Sequence, residues 1–356
     1  MTEPQARATA EPGTPPVSAQ EHRPAEGRID TTIVRAIAAL VVVNSHLEHF
    51  YPVRWLAADG LLGNSLFFLL AGYGLVRSAE RGLQPFPKWY WRRVLRIYPA
   101  LLIAGPVFAL GIERQYLVWT PLQALHELVW PTGFSFIEII MPFYVLMYPM
   151  LAARRRWVYI AAIGVAAVVY VVAYAHDIRA LPANEPLELG ARTKWVHDPA
   201  YFAVFALGGW LGWSRRSFSR SFTLRAQAAI AVALVYFGAK YAMVRGHGVR
   251  AYAVLHLLVF ALCYFLFVTL SDRRVVAAAR SVRPLWWLLA LVGGLTLEIY
   301  LVHSYVVAFD WLARLPFPLN QALFWPMMLA FAFLLGKAAT WARVAIEGRP
   351  NRPALS

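Results

Sequence analysis

Apolar residues in this chain fall into continuous blocks of about 15 to 25, separated by shorter polar or basic connections. Ten blocks qualify as membrane spans: roughly 30–50, 60–76, 97–112, 133–152, 157–175, 199–213, 226–244, 251–270, 286–312 and 320–342. The block at 199–213 is short. The block at 286–312 is long and contains "GGL" at 293–295. It is expected to open as an interfacial helix, "PLWWLLAL", before the crossing proper. Continuous rather than alternating apolar runs exclude a transmembrane β-barrel. The predicted fold is all-α: a polytopic transmembrane helix bundle of about ten spans.

Composition agrees, since the 356 residues are 60% hydrophobic and only 15% charged, against roughly a quarter charged in soluble domains. The net charge of +15 would suggest nucleic acid in a soluble protein. Here the cations gather in the connections 77–96, 153–156, 214–225 and 271–283, while 113–132 and 176–198 are mixed. With an even number of spans, the basic connections and both termini share one face. The positive-inside rule makes that face cytoplasmic, so lipid bilayer and not nucleic acid is the expected partner. Residues 1–28 are rich in Pro, Ala, Glu and Gly, lack the apolar core of a signal peptide, and read as a disordered cytoplasmic tail. The expected membrane domain is 29–343, followed by a cytoplasmic tail at 344–356. The lone Cys263 allows no disulfide within the chain. The histidines lack metal-ligand spacing, so no metal is expected.

The chemistry must then lie inside the bundle. Arg35 and His46 are 11 residues apart in the first span, about 16 Å along a helix and on nearly the same face. Ionisable groups inside a span usually face a bundle interior or a wet cavity. Equally, Arg35 can snorkel to one interface while His46 caps the other. Glu138 lies in the fourth span, and Glu298, Tyr300 and His303 in the ninth. Tyr300 and His303, three apart, share a face. These polar residues can form a site or simply join helices. In "KWYWRRVLRIYP", 88–99, four cations alternate with aromatic residues. Such a stretch can lie at the headgroup level, or its arginines, Arg92, Arg93 and Arg96, can hold phosphates.

Together these segments resemble the acyltransferase-3 family of integral membrane proteins. "RIDTTIVRAIAALVVVNSH" is similar to the family's opening span, with ten residues between an arginine and a histidine. "GNSLFFLLAGYGL" (63–75), "RRVLRIYP" (92–99), "FYVLMYPML" (143–151) and "EIYLVH" (298–303) resemble its later motifs, in order. The chain departs at Ala71, where the family usually has serine, at Phe136, where it has tryptophan, and at Asp30, five rather than three residues before Arg35.

The resemblance implies an O-acyltransferase of the cell inner (plasma) membrane. It would move an acyl group, acetyl first among them, from cytoplasmic acyl-CoA to a hydroxyl of a sugar-containing acceptor. That acceptor would be a cell-envelope glycan, a lipid-linked sugar or a glycosylated small molecule. Acyl-CoA would be a co-substrate, with no resident cofactor. Arg92, Arg93 and Arg96, with Arg35, would hold the donor phosphates. His46 would act as general base, since an unperturbed imidazole titrates near pH ~6.5, and Glu138 would orient it. Asn44, Tyr73, Tyr300 and His303 are candidates for acceptor or oxyanion contacts. A proton-coupled transporter or flippase would also carry intramembrane Arg, His and Glu; such a protein would not move label from donor to acceptor.

Overall fold

The computed structural model describes residues 29–53, 56–57, 60–111, 120, 122–123, 126, 134–180, 194–213, 221–244 and 252–347. The predicted tail at 1–28, residues 348–356 of the predicted C-terminal tail, and much of the connections at 113–132, 176–198 and 214–225 lie outside the described residues.

The described residues form thirteen α-helices and no strand. In chain order these are α1 (Thr32–Ser45), α2 (Gly60–Ala79), α3 (Phe86–Gly111), α4 (Ser135–Ala153), α5 (Arg156–Ala180), α6 (Lys194–Gly212) and α7 (Phe222–Val244). They continue as α8 (Tyr252–Leu270), α9 (Arg273–Ser281), α10 (Arg283–Gly294), α11 (Thr296–Val307), α12 (Asp310–Ala313) and α13 (Leu319–Glu347). Six of them, α2, α4, α5, α7, α8 and α13, are long and apolar enough to cross a membrane, and α9 with α10 would make a seventh as one broken span. α1 is shorter, with 14 residues, or about 21 Å at 1.5 Å per residue.

Burial separates central from peripheral helices. The apolar window of α2 is 61% buried, whereas those of α5 and α7 are 17% and 11% buried. α2 is therefore a core helix, while α5 and α7 turn most of their apolar surface outward, as a lipid-facing helix does. α1 supplies the other central element: Val34, Ala36, Ala38 and Val43 are wholly buried. α2 and α6 approach at glycines. A Cβ on Gly72 would come within 2.0 Å of the Phe205 carbonyl oxygen, and one on Gly208 within 1.9 Å of that of Leu69. This backbone contact tolerates no side chain at either position, the small-residue device of membrane helix pairs.

The predicted span at 286–312 runs over α10, α11 and the start of α12, and the predicted basic loop at 271–283 is mostly the helix α9. The reasons are local. Asp272 caps α9 by accepting the Arg274 N–H at 3.0 Å, and Pro284 suits the start of α10. Gly293 and Gly294, poor helix formers, end α10 one residue before α11. At Gly293 a Cβ would lie 2.8 Å from the Thr32 carbonyl oxygen, so α10 packs its backbone directly on the first turn of α1. α13 continues to Glu347, past the predicted span end at 342.

Two polar groupings lie inside this apolar frame. Arg225 at the start of α7 donates to Asp272 Oδ2 at 2.7 Å and to the Val268 carbonyl at 2.7 Å, tying α7 to the end of α8. Tyr170, His256 and His197 form a string across α5, α8 and α6, each link 3.0 Å long. His256 uses both ring nitrogens in it.

Burial pushes the Asp272 carboxyl up, but the Arg274 N–H and the Arg225 guanidinium outweigh it, leaving it below the ordinary carboxylate value. A depressed folded-state value stabilises the fold above the unfolded value, about pH 4, and that stabilisation is lost as pH falls through the folded value. Asp272→Asn is therefore expected to lower the melting temperature at neutral pH, with the gap to the parent closing in acid below about pH 4. Thermal melts across pH in detergent measure this; a gap independent of pH would remove the ion pair from the stability of the bundle.

Candidate active site

Three helices bring cations to one place. Arg35 stands in the first turns of α1, Arg77 at the end of α2 with Arg81 just beyond it, and Arg93 and Arg96 in the first half of α3. All five arginines line a single cavity of about 490 Å³, and among the described residues no carboxylate does. Aromatic and small residues form the rest of the wall, among them Phe67, Tyr73, Phe136, Tyr144, Ala71 and Tyr300. The α10–α11 break supplies Gly293, Gly294, Thr296 and Leu297.

The arginines are held by packing more than by counter-charge. Arg77 is paired with Glu80 at 2.7 Å. Arg93 lies over the Trp89 ring, 5.0 Å from its centroid, and its buried Nε has no hydrogen-bond partner among the described residues. Asp30 does not enter the cavity wall; it caps α1 at the Thr32 N–H, 2.9 Å away, and accepts from Arg280 at 2.8 Å. Like charges gathered in an apolar bundle, with a buried donor left over, form a receptor for an anion.

The far end of α1 is built differently. His46 follows its last residue, Ser45, and is exposed. Its ring lies 4.8 Å from that of His303, centroid to centroid. His303 is 2% exposed. Its Nδ1 is 2.7 Å from the Tyr300 carbonyl oxygen, which only accepts, so the proton sits on Nδ1 and Nε2 is left as an acceptor. Ser304 Oγ stands 3.4 Å from that nitrogen. The Tyr300 ring is 5.8 Å from His303, and the Phe136 N–H donates to its hydroxyl at 3.0 Å. Tyr300 thus belongs both to the cavity wall and to a line of rings ending at His46. After His46 the chain turns through Glu48–Phe50, where the Phe50 carbonyl accepts from Asn320 of α13 at 2.8 Å.

The structure gathers Arg35, Tyr73, Arg93, Arg96 and Tyr300 at one cavity and sets His46 beside His303. Arg92 is exposed and outside the wall. Asn44 is engaged by its own loop: its amide donates to the Leu56 carbonyl at 3.0 Å and it accepts from the Tyr51 hydroxyl. Glu138 is outside the cavity wall, in the first turn of α4, where its charge acts on Tyr300. Sequence reasoning treated Arg77 and Arg81 only as marks of the inner face. Their spacing of four, at the end of a helix, is the signal that they share a side. Among the described residues no group of three or more His, Cys, Asp or Glu is arranged to hold a metal.

Apolar helices long enough to cross a membrane, packed around a basic internal cavity, define a multi-pass membrane protein. The chain belongs to the acyltransferase-3 family: the family described as an acyltransferase domain matches residues 29–341, nearly the whole chain, and marks it as a membrane acyltransferase. Neither the curated proteins nor the solved structures compared with it gave a match.

Replacing both Arg93 and Arg96 with Gln is expected to weaken binding of a polyphosphate probe such as pyrophosphate. Charge-assisted bonds of about 1.5–3 kcal/mol each correspond to roughly tenfold or more per arginine. Membrane insertion should survive, since Arg77, Arg81, Lys88 and Arg92 remain on that face. Titration of the purified double variant checks this; an unchanged affinity would leave these arginines as topology markers only.

Proposed function

We infer that the protein transfers an acyl group, acetyl in the first instance, from acyl-CoA to a hydroxyl of a cell-envelope glycan, lipid-linked sugar or glycosylated small molecule. The observation that carries this reading is the two-ended site on α1. An anion-binding cavity surrounds Arg35, and a histidine pair sits at the other end, about 16 Å away by helix geometry. Acyl-CoA has matching parts, phosphates at one end and a thioester at the tip of a long arm. Arg93, Arg96 and Arg35 take the phosphates, and the thioester reaches toward His46.

His46 removes the proton from the acceptor hydroxyl as that oxygen attacks the thioester carbonyl. The tetrahedral intermediate collapses with cleavage of the C–S bond, and the leaving thiolate takes the proton from His46. Proton and acyl group are thereby balanced without a covalent enzyme intermediate. His303, locked by its bond to the Tyr300 carbonyl, confines the His46 ring on one side. Glu138, expected to orient His46, stands outside the cavity wall in the first turn of α4 and in this reading acts on Tyr300 instead. In this reading ten spans place both termini and the basic cavity mouth in the cytoplasm of an inner (plasma) membrane protein, by the positive-inside rule.

Topology is checked with reporter fusions: those after residues 85 and 155 should read cytoplasmic and one after residue 51 external, and the reverse pattern would overturn the orientation. Chemistry is checked by incubating membranes with radiolabelled acetyl-CoA. Label should enter the glycan or lipid fraction, whereas a carrier would leave it in the donor. His46→Gln keeps size and hydrogen bonding but not basicity at neutral pH. It is expected to lower kcat by about 10²–10⁴-fold in a protein that still inserts and remains monodisperse. A folded, fully active His46→Gln would sink the general-base assignment.

A further inference from the structure

The elbow formed by α9 and α10 has no part in the chemistry above, yet it carries an exposed basic surface outside the cavity. The two helices meet at 117°. On α9, Arg273, Arg274, Arg280 and Ser281 fall within an arc of about 120°, and all four are exposed. Val275, Val276 and Ala279 occupy the opposite side, with Val276 buried. This is the division expected of a helix lying along a membrane surface. α10 then leaves that plane with Leu285, Trp287 and Leu288 exposed, Trp287 at 66%. An apolar flank thus begins directly below the basic edge.

The charges on this edge are mostly uncompensated. Asp272 is taken by Arg225 and Asp30 by Arg280, and Arg280 also lies 4.8 Å from the Trp286 ring centroid. Arg273, Arg274 and Arg283 form no salt bridge among the described residues. Three exposed guanidinium groups without a salt bridge, on two successive helices of which the second exposes a tryptophan and two leucines, match ligands with an anionic head and apolar tails. We propose that the α9–α10 elbow is a binding surface for anionic phospholipids, with one head-group phosphate on Arg283 at the elbow, another on Arg273 and Arg274 about 12 Å away at the start of α9, and acyl chains along Leu285, Trp287 and Leu288. The surface is joined to the cavity by two contacts. Arg280 holds Asp30, the residue that caps α1, and Gly293 packs against Thr32 and the Arg35 Cβ.

The test uses the full chain in nanodiscs of phosphatidylcholine containing a minority of phosphatidylglycerol, with the lipids retained after release read by native mass spectrometry. Phosphatidylglycerol should be retained in excess of its share of the bilayer. At about 1 kcal/mol per basic residue, each arginine removed should lower that preference roughly fivefold. The triple variant R273Q/R274Q/R283Q should lose it, and R273K/R274K/R283K should keep it because the charge remains. The variant R154Q/R155Q/R156Q removes equal charge from another basic turn and should also keep it. Retention at the bulk ratio, equal loss in both glutamine variants, loss in the lysine variant, or displacement of the lipid by excess inorganic phosphate would each overturn the proposal. If the glutamine variant does not fold, photoreactive phosphatidylglycerol on the wild-type chain decides: cross-links within residues 273–288 support the site, and cross-links confined to other segments refute it. None of these readouts involves acyl transfer, so they stand apart from the activity proposed above.

Discussion

Repulsion among guanidinium groups in an apolar bundle is the constraint around which this structure is arranged. Five arginines converge on one cavity, with no carboxylate in its wall among the described residues. Bringing like charges together away from bulk water is costly, and counter-charge offsets it only in part, from carboxylates outside the wall such as Glu80 on Arg77. The helices must supply the difference by packing, and they do so at close quarters. α1 buries valine and alanine side chains completely, α2 meets α6 at glycines, and Arg93 rests on Trp89. An anionic ligand would relieve the repulsion, so the architecture stores affinity for one chemical class.

The same constraint explains the placement of the acidic groups. Glu80 pairs with Arg77 from just outside the wall. Asp30, close to Arg35 in sequence, is drawn instead into capping α1 and pairing Arg280. It stands one residue before the N-cap Thr31, outside the cavity wall. A carboxylate within the wall would compete with the ligand; one at the rim fixes the helix without doing so.

Much of this was legible in the sequence. Apolar blocks gave the helices, because a bilayer-length run of Leu, Val, Ala and Phe has few alternatives to a helix when its backbone must be satisfied internally. The spacing of Arg35 and His46 gave the two-ended α1. What stayed hidden depended on contacts between distant segments. The close approach of α10 to Thr32 at Gly293 is a contact that a hydropathy pattern does not register. The pairing of His46 with His303 joins residues 257 positions apart by their numbering. Asn44, polar and next to the site in sequence, is held by Leu56 and Tyr51, so proximity along the chain did not mean a free side chain. Arg92 and Arg93 are adjacent, yet one residue of helix, about 100°, puts only Arg93 in the wall.

The short helix α11 links the two ends of the site. Its first turns border the cavity through Thr296 and Leu297, and Tyr300 completes that wall. One turn on, the carbonyl of the same Tyr300 fixes the His303 ring, which lies against His46. α10 packs on α1 at Gly293, and α11, which starts one residue after α10 ends, carries Tyr300 to the cavity wall and His303 to the ring of His46 at the far end of α1. One tyrosine therefore faces the arginines with its side chain and holds a histidine with its carbonyl.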